Sequence, residues 1–251
     1  MVLRRDVTVS FAGDVGLGLG TIRGIASDLQ HGGTFDDVLS TVKYRTATDP
    51  DSVEFIVAVE GKDWQLARIR RGQVEQGLSS AWIGDREAFE RFQRARHAPD
   101  PLQAFVEAKV GPGASALLRL GNAMQAVIED PTVDTVDHFC VRVALHPDGF
   151  QYLSSFFIYV GRDIQVQAGD DLINRMAQSV QEGGYTVSIV EPAEPGTPAL
   201  GLSFPRAMLG MIFVPLVYDD AQVLHDVSPD DFASVVRERF GVMLKDPPLR
   251  H

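Results

Sequence analysis

Along residues 7–11 the chain alternates Val7, Thr8, Val9, Ser10, Phe11, the period-two pattern of a strand with one buried face. Residues 22–29 can form a helix behind it. Thr34 then reads as a helix cap, with Asp37 placed to reach back to it and the helix running to about Tyr44. Two strand-like runs, 53–59 and 64–69, flank Glu60-Gly61-Lys62-Asp63, and Arg71-Gly72 turns the chain into a third short strand. This predicts an antiparallel meander.

A helical stretch comes next. Asp85 caps a helix carrying Phe89 and Phe92, Asp100-Pro101 opens a second, and Gly111-Pro112-Gly113 interrupts it. A longer helix over 114–129 places Leu117, Leu120, Met124 and Val127 on one face. The runs 139–145 and 150–153 around His146-Pro147-Asp148-Gly149 predict a hairpin. Beyond about Gly161 come a helix begun by Asp170, a strand over 185–190, a Pro/Gly linker over 191–198, and strands over 201–204 and 208–217. The last helix has Ser228 as cap, Pro229 at its first position, Asp230 and Asp231 in its first turn, and Gly241 at its end. Runs of strands alternate with runs of helices, so the pattern predicts a layered α+β fold rather than a doubly wound parallel sheet.

The join between the first strand and its helix, SFAGDVGLGLGT, has four glycines. Gly16, Gly18 and Gly20 give G-x-G-x-G, which misses the dinucleotide register G-x-G-x-x-G, and a Walker loop needs a lysine that does not occur before Lys43. Close packing of the helix against the sheet accounts for the glycines more simply than a phosphate.

Composition narrows the field. With 251 residues, 45% of them hydrophobic, the chain is long enough to bury a full core. A net charge of −11 argues against nucleic acid or an anionic membrane as partner. The basic run over 86–97 is interleaved with Glu87 and Glu90 and reads as a solvated helix face. Cys140 is the only cysteine, which excludes an intrachain disulfide and points to a reducing, cytoplasmic setting. No signal-peptide or membrane-spanning run is present in the sequence as read, and no cofactor or metal motif stands out. Cys140 lies in an apolar run and reads as a core thiol, His138 and His146 flank it without a fixed acidic orienter, and the adjacent aspartate pairs suit caps and loops.

Four short motifs in this order resemble the proteasome β-subunit and its bacterial relatives, members of the N-terminal-nucleophile hydrolases. Phe11-Ala12-Gly13-Asp14-Val15-Gly16 is similar to the family's strand-to-helix turn, and Ala81-Trp82-Ile83-Gly84-Asp85 stands where the family has A-x-G-S-G. Ile128-Glu129-Asp130-Pro131 with Asp137-His138-Phe139-Cys140-Val141 is similar to its helix end and next strand, and Asp148-Gly149-Phe150 resembles its last core turn. The likeness covers roughly residues 4–155. It implies an αββα sandwich with incomplete N-terminal strands over 1–160 and a C-terminal α/β extension over 161–251. It also implies that Gly13 supplies an oxyanion-hole amide and that Asp130 is the acid orienting the nucleophile region.

The departures bear on catalysis. The family's nucleophile is an N-terminal threonine upstream of the F-A-G turn, and Met1 stands only ten residues before Phe11, so that segment is expected to be missing. Asp85 and Val133 replace serines, and Leu17 replaces the turn's aspartate. Three readings follow: a proteasome-like homo-oligomer, with or without a further protein partner, that lacks peptidase activity and serves assembly or regulation; an active hydrolase with residues upstream of Met1; or an unrelated small-molecule module whose glycine-rich turn holds an anion. The incomplete sheet is expected to leave residues 7–11 as an edge covered by the strand over 208–217.

Overall fold

The computed structural model describes residues 1–61, 65–99, 107–109, 111–130, 132, 133, 135, 141–152, 156–159 and 185–245. The chain divides into two compact units, one formed by Met1–Ile83 with Val141–His251 and the other by Gly84–Cys140. It is a mixed α+β protein whose sheets are antiparallel.

The first unit begins with a five-stranded meander in sequential order: β1 (Val2–Arg4), β2 (Val7–Gly13), β3 (Val53–Val59), β4 (Gln65–Arg70) and β5 (Gln73–Glu75). The alternation of the sequence survives in the structure. Val7, Val9, Val53, Phe55, Val57, Val59, Ala67 and Ile69 are buried on one face, against Ile22, Ile25 and Leu29 of α1 (Val15–Gln30) and Val38, Leu39 and Val42 of α2 (Phe35–Thr48). Each such aliphatic side chain contributes roughly 1.5–3 kcal/mol by leaving water. The Thr34–Asp37 capping box starts α2 as the sequence predicts.

Helix α1 starts earlier than its apolar pattern suggests. Asp14 caps it, accepting from Leu17 N at 2.8 Å, so Gly16, Gly18 and Gly20 lie inside the helix and not in a loop. Only Gly18 is there for packing within the chain. A Cβ on it would fall 2.2 Å from the Phe11 ring, whereas one on Gly20 or Gly24 would meet nothing within 4 Å. Each glycine in a helix interior costs about 0.5–1 kcal/mol relative to alanine, so Gly20 and Gly24 weaken α1 without an internal steric reason.

The expected cover of residues 7–11 is corrected by the structure. β1 itself lies along β2, with Val2 opposite Thr8 and Val9 N donating to Met1 O at 2.8 Å. The strand of the later run, β11 (Leu209–Phe213), belongs to a second five-stranded sheet, where it sits between β10 (Leu200–Phe204) and β12 (Gln222–His225). That sheet is completed by β9 (Tyr185–Val190) and β8 (Phe156–Tyr159). Among the described residues of 7–153 there is thus one large sheet, plus the hairpin β6 (Val143–His146) with β7 (Gly149–Tyr152); the second large sheet lies after residue 155. A three-residue β1 and the short β8 and β12 have too little pattern to be read from sequence.

The second sheet is covered on both faces. Ile189 and Val190 are neighbours on β9 and both buried, yet they belong to different clusters. Val190, Ile212 and Leu224 pack with Phe232 and Val236 of the last helix, Pro229–Phe240. Ile189, Leu200 and Leu202 pack with Val2 and Ala58 of the first sheet and with Phe150 and Tyr152 of β7. The last helix opens with Ser228 accepting from Asp231 N at 3.1 Å and closes on Gly241 with φ 68°, as its sequence signals predict.

The second unit is helical where described. α3 (Arg86–His97) is capped by Asp85, which accepts from Glu87 N and Ala88 N. α4 (Pro112–Ile128) starts two residues before the predicted position, with Pro112 in its first turn and Gly111 ahead of it. The final helix of the chain is accordingly α5. Of the helix expected from Asp100-Pro101, residues 107–109 are helical and the remainder lies outside the described residues, as do the helix expected at Asp170 and the run 139–140.

Candidate functional site

Gly13 ends β2, opposite Val53 of β3. Its φ is 112°, and a Cβ would fall 2.1 Å from the Ser52 carbonyl oxygen, so only glycine fits. The ladder fixes where its amide points. Asp14 N donates to Ser52 O at 2.7 Å and Glu60 N to Asp6 O at 2.8 Å, so the even-numbered residues of β2 bond to β3. The odd-numbered amides turn to the β1 side, as Val9 N does toward Met1 O. Pairing on that side ends at Val9, which bonds to Met1, and this leaves the Gly13 N–H directed beyond the end of β1.

Asp130 follows α4, and its carboxylate is occupied. Thr132 donates to Oδ1 from both its backbone N, at 2.9 Å, and its hydroxyl, at 2.7 Å. Arg91 of α3 pairs with Oδ2 and also reaches Glu87 at 3.0 Å. The Thr132 hydroxyl foremost, then its N–H, and further the Arg91 charge hold the Asp130 carboxyl below the usual carboxylate range. Asp85 behaves alike. Besides capping α3 it accepts from the Thr135 hydroxyl at 2.8 Å, and that bond chiefly lowers its pKa. The two carboxylates therefore tie the segment after α4 to α3, and Val133 between them is buried against Ala88 and Val127. A carboxylate so engaged is a fastener rather than a general base.

The structure therefore places Gly13 in the first unit and Asp130 in the second, each in a defined local setting. His138 and Cys140 lie outside the described residues, and His146 is an exposed residue of β6. Thr8 donates its hydroxyl to Met1 O at 3.0 Å. Asp14 puts its own carboxylate at the N-terminus of α1, where an anion would otherwise be received. Among the described residues no three His, Cys, Asp or Glu side chains are grouped to hold a metal ion, and no helix is long and apolar enough to cross a membrane.

Sequence reasoning missed the Tyr152 anchor. Val2 N donates to the Tyr152 hydroxyl at 3.0 Å, fixing β1 to β7, and burial pushes that phenol above its ordinary pKa. The adjoining hollow, bounded by Tyr152, Glu191, Gly196 and Lys245, holds about 20 Å³, room for a water and not for a substrate. Larger recesses lie between α1 and α2, about 380 Å³, and beside α3 and α4, about 260 Å³. The only legible signal for Tyr152 was the Phe150, Tyr152 alternation of β7.

Compared with known proteins, the chain matches no family model and no curated protein.

Proposed function

We propose that this chain is a cytoplasmic, proteasome-like protein without peptidase activity of its own, serving as a homo-oligomeric assembly or regulatory component. The observation that carries the reading is the succession of layers in the first unit. Helices α1 and α2 cover one face of the first sheet, the second sheet shares a cluster with its other face, and α5 covers the far side of that second sheet. This is the helix, sheet, sheet, helix order that the motif resemblance implies, and the strand-to-helix turn at Gly13 stands within it.

The same residues support the loss of chemistry. A glycine amide turned outward from β2 could stabilise an oxyanion, but that is one part of a hydrolase. Asp130, the acid of the resemblance, is committed to Thr132 and Arg91, and Asp85 to Thr135 and the α3 cap. The experiment is hydrolysis of a panel of fluorogenic peptides by the full chain. The expected result is no turnover above buffer; turnover abolished by Thr8→Ala or Cys140→Ala, with folding intact, overturns the reading.

A further inference from the structure

From Arg91 to Ile128 the chain carries Arg91, Arg94, Arg96, Lys109 and Arg119 against Asp100 and Glu107, a positive excess on a chain whose net charge is −11. The structure neutralises some of the cations of α3 and not others. Arg86 pairs with Glu90, and Arg91 with Glu87 and Asp130, so the first half of α3 is the charge-balanced face that its sequence predicts. Among the described residues, Arg96 and Arg119 make no hydrogen bond or ion pair.

Arg91 meets Asp130, and Ala88 and Phe92 pack with Val127, so α3 and α4 run antiparallel and the end of α3 lies beside the start of α4. The recess of about 260 Å³ is there, lined by Arg96 and His97 from α3 and by Ser115, Ala116, Arg119 and Leu120 from α4. The spacing on α4 makes two adjacent stripes on one side of the helix, Ser115 with Arg119 and Ala116 with Leu120. Arg119 is half-buried with its Nε withdrawn from solvent, so packing rather than a bond holds its guanidinium, and Leu120 beside it is 38% exposed. The negative end of α3 favours Arg96 and His97, but Arg119 stands about two turns inside α4, nearer that helix's positive end, where the dipole gives it no support. Glu107, which also lines the recess, pairs with neither arginine.

We propose that this recess binds a phosphate monoester, with the dianionic phosphoryl group between Arg96 and Arg119 and an apolar alcohol part on Ala116 and Leu120. Two guanidiniums lining one hollow repel each other unless an anion lies between them, and the terminal oxygens of a phosphoryl group are enough to accept from both forks, where a carboxylate is saturated by one. The exposed apolar stripe beside Arg119 gives the rest of the ligand a surface to cover. Glu107 on the same lining opposes a longer polyanion, such as nucleic acid or a nucleoside triphosphate. The site goes beyond the proposed function and does not depend on it, since it lies within the α3–α4 unit and Gly13 in the other. Peptide turnover would overturn that reading and leave this one standing.

The test is calorimetric titration of the full chain with phenyl phosphate at about pH 7.5, above the second phosphate pKa of about 6. A Kd below about 1 mM is expected. Benzoate, which keeps the ring with a single charge, and inorganic phosphate, which keeps the charge without the ring, should each bind at least about tenfold more weakly. Arg96→Gln and Arg119→Gln should each weaken phenyl phosphate at least about tenfold with an unchanged circular dichroism melt, and Leu120→Asn should weaken phenyl phosphate but not inorganic phosphate. Glu107→Gln, at an exposed position, should tighten phenyl phosphate about threefold, and this arm stands even where an arginine variant fails to fold. A wild-type Kd above about 1 mM, benzoate binding as well as phenyl phosphate, folded arginine variants that bind as the wild type does, or a Glu107→Gln chain that binds no tighter overturns the proposal.

Discussion

The first sheet with its two helices and the α3–α4 unit are built on different terms. The former buries a continuous apolar cluster in which Val7, Val9, Ile25, Val38, Val42, Phe55, Val57, Ala67 and Ile69 lose all contact with water. The latter, where described, buries a small cluster of Ala88, Val127 and Val133 with Phe92 against it, and adds the polar ties from Arg91 to Asp130 and from Thr135 to Asp85. The difference teaches where each region is vulnerable. Apolar burial is indifferent to protons and responds to shape, whereas carboxylate ties respond to pH.

The largest expected effect is a core truncation. Phe55→Ala removes a fully buried ring on β3 and should cost about 3–5 kcal/mol in chemical denaturation of the full chain. A loss below 1 kcal/mol would mean that the sheet–helix cluster is not the structural centre of the first unit.

Shape sensitivity gives the next contrast, between glycines that are needed and glycines that are not. Gly210 of β11 has the Phe232 ring 2.3 Å from where a Cβ would sit, so Gly210→Ala should cost roughly 1–3 kcal/mol by overpacking. Gly24→Ala meets open space inside a helix and should instead stabilise by roughly 0.5–1 kcal/mol. Equal effects of the two in thermal melts would dissolve the distinction.

Acid should separate the two units. Asp85 and Asp130 have folded pKa values depressed below 3.8, so their contribution is present above that pH and fades as pH falls through the folded values. Hydrogen exchange of α3 and α4 amides should therefore accelerate, relative to β2 and β3, on going from pH 5 to below 3.8, and Asp130→Asn should flatten the dependence. Asp37 shares the direction of shift through its Thr34 bond, so the start of α2 should loosen in the same window while the β2–β3 ladder does not. Exchange that rises equally in ladder and α3 would remove this contrast.

The smallest effect expected is from Thr34→Ala, which removes an exposed capping box and should cost about 1 kcal/mol, confined to α2. Loss of protection spreading to β3 would show that the cap does more than start a helix.

Much of this architecture was legible because local chemistry dictates it. Alternation marked β2 and β3, and the cap residues Thr34, Asp85 and Ser228 marked their helices, since an N-terminal amide needs an acceptor within three residues. The turn Asp148-Gly149 marked the β6–β7 hairpin. The candidate site was less legible. Gly13 could be singled out, but which way its amide points follows from the register of β2 on β3, and register belongs to the pair of strands. Asp130 could be singled out as an acid, but Arg91 lies 39 residues away, and no spacing rule brings them together.

By itself, then, the chain determined its periods, caps and turns, because these depend on interactions a few residues long. Tertiary structure alone decided that β1 closes the edge of β2, that residues 200–213 build a second sheet and leave that edge to β1, and that Gly18 is buried under Phe11 while Gly20 and Gly24 open onto a groove. These are matters of which surfaces meet after long stretches of chain have turned, and identical glycines two or six residues apart carry no local mark of which side will be covered.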